Sequence, residues 1–269
     1  MVSRESEVQV VDDASAAQCP LAGADSERTL RAREELLSIL AHDLRGPLST
    51  ISLAVGSLRA DDDPATLKRK WSVVERAARR MTSLVEDLLD VTRIETGSLV
   101  LDLAPQPVSA LLREVVAQLE PTALAASVHL SMSLRQDFSV HCAFDRIVQV
   151  IANLASNALD VTPARRGVRL LAERRGELAW FAVEDDGPGI PAEHLTRIFE
   201  RGWRMDAGRQ QGAGLGLAIA RGIVEAHGGR LGVESQMGAG TRFHFAVPLH
   251  GPPQTSWHLD PPWAKSERR

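Results

Sequence analysis

Three kinds of residue in this chain have the type and spacing for chemistry. The first is a histidine followed at once by an acid, His42-Asp43, inside Leu40-Ala41-His42-Asp43-Leu44-Arg45-Gly46-Pro47-Leu48. A carboxylate beside an imidazole can accept a hydrogen bond from one ring nitrogen, which leaves the lone pair of the other for attack. The second is an ordered series of glycine clusters: Asp185-Asp186-Gly187-Pro188-Gly189-Ile190, then Gly212-Ala213-Gly214-Leu215-Gly216-Leu217, then Gly238-Ala239-Gly240-Thr241. Alternating glycines let a backbone approach a ligand closely, and the second cluster runs into a helical pattern whose first amides suit phosphate oxygens. The third is Asn153 and Asn157, four apart and so on one helix face. Amide oxygens there can share Mg²⁺ with phosphate oxygens and water. Each feature alone has a blander reading: a surface histidine, a loop, a polar helix face. Their ordered combination is far more specific.

The elements that must position these residues follow from periodicity. Leu37, Leu40, Leu44, Leu48, Ile51, Val55 and Leu58 recur at three- and four-residue steps, the seam of a bundled helix over residues 26–59. His42 lies off that seam and should face solvent. Pro47, with Gly46 before it, predicts a kink one turn beyond His42. Asp61-Asp62-Asp63-Pro64 makes a turn and caps a second helix, with its seam at Leu67, Trp71, Val74, Ala78, Met81, Val85 and Leu88. Two antiparallel helices with one apolar stripe each cannot bury those stripes alone, so a homodimeric four-helix bundle is expected.

After Gly97 the pattern changes. Strands are predicted over residues 98–103, 128–134, 168–173 and 178–184, helices over 107–119, 145–159 and 217–227, and a closing hairpin over 230–234 and 241–247. The fold class is therefore α+β: an N-terminal antiparallel helical hairpin, then an α/β two-layer sandwich with a mixed, mainly antiparallel sheet. The expected divisions are a lead-in over 1–25, the hairpin over 26–97, the sandwich over 98–249, and a tail with Trp257 and Trp263 over 250–269.

A chain of 269 residues with a net charge of -4 has no general basic field, so nucleic acid is not an expected partner. Arg76, Arg79 and Arg80 form a local basic stripe that reads as a solvated helix face. Cys19 and Cys142 lack metal-site spacing, and neither a signal peptide nor an apolar run of about 18 residues is present, so a reducing, cytoplasmic setting is expected. Trp71 and Trp180 fall in periodic segments and read as core.

The order of His-Asp-Leu-Arg-x-Pro-Leu, Asn-Leu-x-x-Asn-Ala, Asp-x-Gly-x-Gly, a Phe-Glu element and Gly-x-Gly-Leu-Gly-Leu, across about residues 28–248, resembles the sensor histidine kinases of two-component systems. The resemblance implies a dimerisation and histidine-phosphotransfer hairpin, followed by an ATP-binding sandwich shared with gyrase and heat-shock chaperone ATPases. His42 would then be the phospho-acceptor and Asp43 its orienting base. Asn157 would hold Mg²⁺ with Asn153 close by, and Asp185 would accept a hydrogen bond from the adenine amino group. Gly187 and Gly189 would shape the adenine pocket. Phe199 would anchor a lid ending at Gly212, with Arg204 and Arg209 as its cations. Gly214, Leu215 and Gly216 would lie against the phosphates, and Ile190, Leu217 and Thr241 complete the nucleotide set. ATP and Mg²⁺ are the implied cofactors. A separate response-regulator receiver domain, a second copy of the chain and a separate sensor protein are the implied partners.

Departures from the family pattern qualify this reading. Gly46 stands where the family usually has Thr or Asn to orient a dephosphorylating water, which argues against phosphatase activity. Asp160-Val161 replaces a basic and an aromatic residue, so compensation by Arg204 or Arg209, or weaker ATP binding, is expected. Gly202 replaces an aromatic, and either Trp203 beside it takes over the packing or the lid docks differently. The competing readings are a catalytically degenerate nucleotide-binding scaffold and a serine protein kinase of the same ATP fold.

Overall fold

Helix α1 covers residues 43–56, and its backbone remains helical through Pro47, which is buried. The computed structural model describes residues 41, 43–59, 61–203 and 214–252, so the expected lead-in, His42, Arg204, Arg209, Gly212 and nearly all of the tail lie outside the described residues. Helix α2, Pro64–Glu95, starts at a built cap: Asp63 Oδ1 accepts from the amides of Ala65 and Thr66 at 2.9 and 3.0 Å, and Pro64 occupies the first turn. Lys70 Nζ donates to the Ser57 carbonyl and to Asp62, both at 2.6 Å, which fastens the turn between the helices.

The two seams are not closed within one chain. Leu48, Val55, Trp71 and Val85 are exposed. Trp71, expected in the core, is 59% exposed, whereas Trp180 is buried as expected. The residues of α2 that do bury are Ala77, Leu84, Asp90 and Val91; Ala77, Leu84 and Val91 stand three or four residues from Val74, Met81 and Leu88 and so flank the seam.

Beyond α2 the order is β1 (Ala104–Pro107), α3 (Val108–Ala126), β2 (His129–Leu134), β3 (Ser139–Cys142), α4 (Phe144–Val161), β4 (Gly167–Arg175), β5 (Leu178–Asp185), α5 (Gly216–Ala226), β6 (Arg230–Gln236) and β7 (Gly240–Pro248). Five strands form one sheet in the order β2-β4-β5-β7-β6, with β2 parallel to β4 and the other neighbours antiparallel. The alternation along β4, β5 and β7 sends Val168, Leu170, Phe181, Val183, Phe243 and Phe245 to one buried face, with the Phe181 and Phe245 rings stacked at 4.8 Å. Helices α3, α4 and α5 cover the sheet with Leu111, Val115, Ile147, Ile151, Leu154, Ile219 and Ile223, all fully buried. This is the expected two-layer arrangement with a mixed sheet.

The local expectations need correction in three places. No strand covers residues 98–103; the pairing segment is β1, which joins β3 in a two-stranded sheet of its own. Strand β3 was not anticipated. Helix α3 continues through Pro121 to Ala126 because tertiary packing, with Ala123 buried, outweighs one lost backbone bond. His227 has a structural role: its Nδ1 lies 2.8 Å from the Ile223 carbonyl, and its Nε2 accepts from the Ala143 amide at 3.2 Å, which links the end of α5 to the start of α4.

Hairpin and sandwich belong to one compact unit that begins at Ile39. The C-terminal third of α2 packs on α4 and α5. Val91 is 3% exposed, and Ile94 sits in the hollow left by Gly222, where a Cβ would come within 2.6 Å of Ile94 Cγ2. Asp90 is buried beside Arg146 and Gln149 of α4, and Arg201 pairs with Glu95. Among the described residues no helix is long and apolar enough to cross a membrane.

Candidate functional site

The register between β5 and β7 sets Asp185 directly opposite Thr241 at one end of the sheet. Asp185 Oδ1 accepts from the Gly187 amide at 2.8 Å, and a backbone hydrogen bond at Thr241 also supports the carboxylate. Burial nevertheless pushes the Asp185 carboxyl above its ordinary value, the cost of holding an acceptor in a dry recess. The chain then turns at Gly189, whose φ of 77° and lack of room for a Cβ beside the Gln236 carbonyl require glycine. Gly238 donates to the Pro188 carbonyl at 2.7 Å and Ile190 to Ser235 Oγ at 2.8 Å, which fixes this loop against the β6–β7 hairpin.

Across the recess, α4 presents Asn153, Ser156, Asn157 and Asp160. Asn153 Nδ2 donates to the Gly216 carbonyl at 3.2 Å and thereby holds the start of α5 against α4. The first turn of α5, with Leu215, Gly216 and Leu217, opens onto the same space, where helix N-terminal amides favour an anion. Gly202 donates to the Gly214 carbonyl at 3.1 Å beside the same space. Trp203 lies on the cavity wall with its ring 5.6 Å from that of His194, and Phe199 meets Phe243 edge-on at 6.4 Å.

The result is a cavity of about 1100 Å³, ample for a nucleotide. It brings together Asn153, Asn157, Asp185, Gly189, Ile190, Gly214, Leu215, Gly216, Leu217 and Thr241, all singled out from sequence. Gly187 is not on its wall and acts by bonding Asp185. The cavity also extends to the hairpin, where Asp43, Gly46, Pro47 and Thr50 of α1 line it. His42, the preceding residue, lies outside the described residues. A Cβ at Gly46 would meet nothing within 4 Å.

Sequence reasoning missed the contribution of α2. Arg76, Arg79, Arg80, Ser83 and Asp87 line the cavity, so the basic stripe taken for a solvated face borders the site. Burial, with the charges of Asp90 and Glu86, pushes Asp87 up to about 6. Their i, i+3 and i+4 spacing was visible, but what faces them was not.

The donor set fits Mg·ATP. A buried carboxylate suits an exocyclic amine, and a helix N-terminus suits phosphates. Among the described residues no three His, Cys, Asp or Glu side chains gather to hold a metal; the Asn157 amide lies on the cavity wall, and an amide oxygen is a ligand type that suits an ion shared with phosphate oxygens and water.

A helical hairpin joined through one cavity to a glycine-bordered sandwich defines the phospho-acceptor and ATPase pairing. The sequence matches the family model "His Kinase A (phospho-acceptor) domain" over residues 32–97 and "Histidine kinase-, DNA gyrase B-, and HSP90-like ATPase" over residues 143–251. Adaptive-response sensory kinase SasA of Synechococcus sp. (strain JA-3-3Ab) is 33% identical over 225 residues, covering 81% of this chain and 60% of that protein. The crystal structure of full-length ShkA in complex with AMPPNP superposes with a TM-score of 0.63 at 28% identity, covering 81% of this chain and 46% of that one. The histidine kinase ThkA, in its complex with the response regulator TrrA, gives 0.59 at 25% identity, with 87% and 68% covered. The chain belongs to the sensor histidine kinases of two-component systems. It spans about three fifths of the length of the SasA relative.

Proposed function

We propose that this chain is an ATP-dependent protein-histidine kinase that phosphorylates its own His42 and passes the group to an aspartate of a separate response regulator. The observation that carries the reading is the single cavity lined at one end by Asp43 of the hairpin and at the other by Asn157, Asp185 and the first turn of α5. When bound, Mg·ATP supplies the γ-phosphoryl group and part of the charge compensation for its transfer. The chain supplies alignment, which is most of what phosphoryl transfer needs.

Asp185 accepts from the adenine amino group, Asn157 holds the metal, and the first turn of α5 receives phosphate oxygens. An imidazole with a pKa of about 6.5 is largely neutral at pH 7, so His42 attacks without a strong base. Asp43 fixes the tautomer and then stabilises the positive charge that develops on the ring. ATP as donor places the reaction in the cytoplasm.

A second copy of the chain closes the exposed Leu48, Val55, Trp71 and Val85 into a four-helix bundle. The ThkA complex with its regulator supports a receiver domain as partner. The test is incubation with γ-labelled ATP and Mg²⁺. Acid-labile, base-stable label on the parent and none on His42→Gln is expected; label retained by His42→Gln, or none on the parent, overturns the proposal.

A further inference from the structure

A nucleotide triphosphate brings roughly four negative charges, and a wall of acids would repel them. The cavity wall carries four acids, Asp43, Asp87, Asp160 and Asp185. Asp160 is the least expected of them, one turn from Asn157 on the helix that lines the cavity. Among the described residues, the cations on this wall are Arg76, Arg79 and Arg80, and all three belong to α2 of the hairpin.

Their surroundings differ. Arg79 pairs on the solvent side with Glu75 at 2.7 Å, and Arg76 donates to the neutral Ser72 hydroxyl at 3.2 Å. Arg80 is half-buried and lines the same cavity as Asp160, whose carboxyl is raised by desolvation and lowered by the Arg80 charge. Asp160 and Arg80 thus act on each other across the cavity, from α4 to α2.

We infer that Arg76 and Arg80 of the hairpin helix are phosphate-binding residues for the nucleotide, with Asp160 orienting Arg80, so that docking of α2 on the sandwich strengthens ATP binding. The inference rests on the nucleotide reading above and adds to it where the charge comes from. Asp160 then does not weaken the site: an acid on α4 recruits a cation from the other domain. The docked hairpin strengthens phosphate binding, and by linkage bound nucleotide strengthens docking to the same degree. The contacts that hold α2 in place, Asp90 with Arg146 and Ile94 with Gly222, lie outside the cavity and can be altered without touching the ligand.

Dissociation constants of the full chain for Mg·ATP and for adenosine, measured by calorimetry, test this. Arg76→Gln and Arg80→Gln should each weaken Mg·ATP roughly tenfold, leaving adenosine unchanged. Arg80→Lys should retain most of the affinity, and Asp160→Arg in the Arg80→Gln background should restore it by returning a cation to the wall. Arg146→Ala should weaken Mg·ATP roughly fivefold through loss of docking, again sparing adenosine. The inference is overturned if both glutamine variants bind Mg·ATP within about twofold of the parent, if Arg146→Ala leaves it unchanged, or if adenosine weakens in parallel. Failure of the parent to bind Mg·ATP at all would instead remove the nucleotide reading beneath it.

Discussion

Both oxygens of the Asp90 carboxylate accept from one nitrogen of Arg146, at 2.8 and 2.7 Å, and the second also accepts from Gln149 Nε2 at 2.7 Å. The Asp90 side chain is 5% exposed and that of Arg146 23%. Removing Arg146 leaves the buried Asp90 charge with only Arg93, 3.6 Å away and half-exposed, to compensate it. Arg146→Ala should therefore cost about 3 kcal/mol of stability in urea unfolding. A loss below about 1 kcal/mol would mean that the pair is no more than a surface contact.

Ile94 and Gly222 give a second handle on the same contact. Gly222→Val should drive a methyl into Ile94 and cost about 1 to 3 kcal/mol. Ile94→Ala in the same chain should recover much of that loss, because the clash and the hollow cancel. Stability measured around the four-member cycle checks this, and simple additivity of the two changes would contradict it.

Asp87 gives a pH signature. Its folded pKa, about 6, stands above its ordinary 3.8, so the folded state disfavours the charged form. The stability it contributes is present below about pH 4 and is lost as pH rises through about 6. Asp87→Asn should stabilise the chain at pH 7 by about 1 to 2 kcal/mol, after allowance for the part of the carboxyl that solvent screens. That gain should vanish towards pH 4. An equal gain at both pH values would remove charge as its cause.

Asp185 sets the base preference. Its buried carboxylate suits a donor amine, and a carbonyl at that place leaves two acceptors facing each other. Inosine triphosphate should bind at least about a hundredfold more weakly than ATP. Asp185→Asn should narrow that ratio by weakening ATP, as competition against a fluorescent nucleotide can measure.

The sandwich was legible wherever sequence-local physics governs. The period of two in β4, β5 and β7 and the glycines before α5 located those elements to within a few residues. Pairing between β1 and β3 was not legible. Pro105 and Pro107 lack amide donors, β3 has only four residues, and Cys142 of β3 pairs with Ala104, 38 positions earlier in the chain, with α3 and β2 between them. In the site, the glycine clusters and asparagines announced themselves by order. The arginines of α2 did not, since periodicity states which residues share a face and is silent on what that face meets. Trp71 is the same case: its period marks an apolar stripe, and it leaves unstated that the residue is 59% exposed in the single chain.

Helix α2 runs 32 residues without a break, about 48 Å of continuous rod. It meets the cavity at Arg80 and its anchorage on α4 and α5 at Asp90 to Glu95, beginning about three turns farther along. A rod held so near one end behaves as a lever. A small tilt imposed at the far end, by the turn at Asp63 or by the chain that enters α1, is carried to the arginines as a change in their reach. A signal can thus act on the nucleotide without any element unfolding, through the stiffness of one helix.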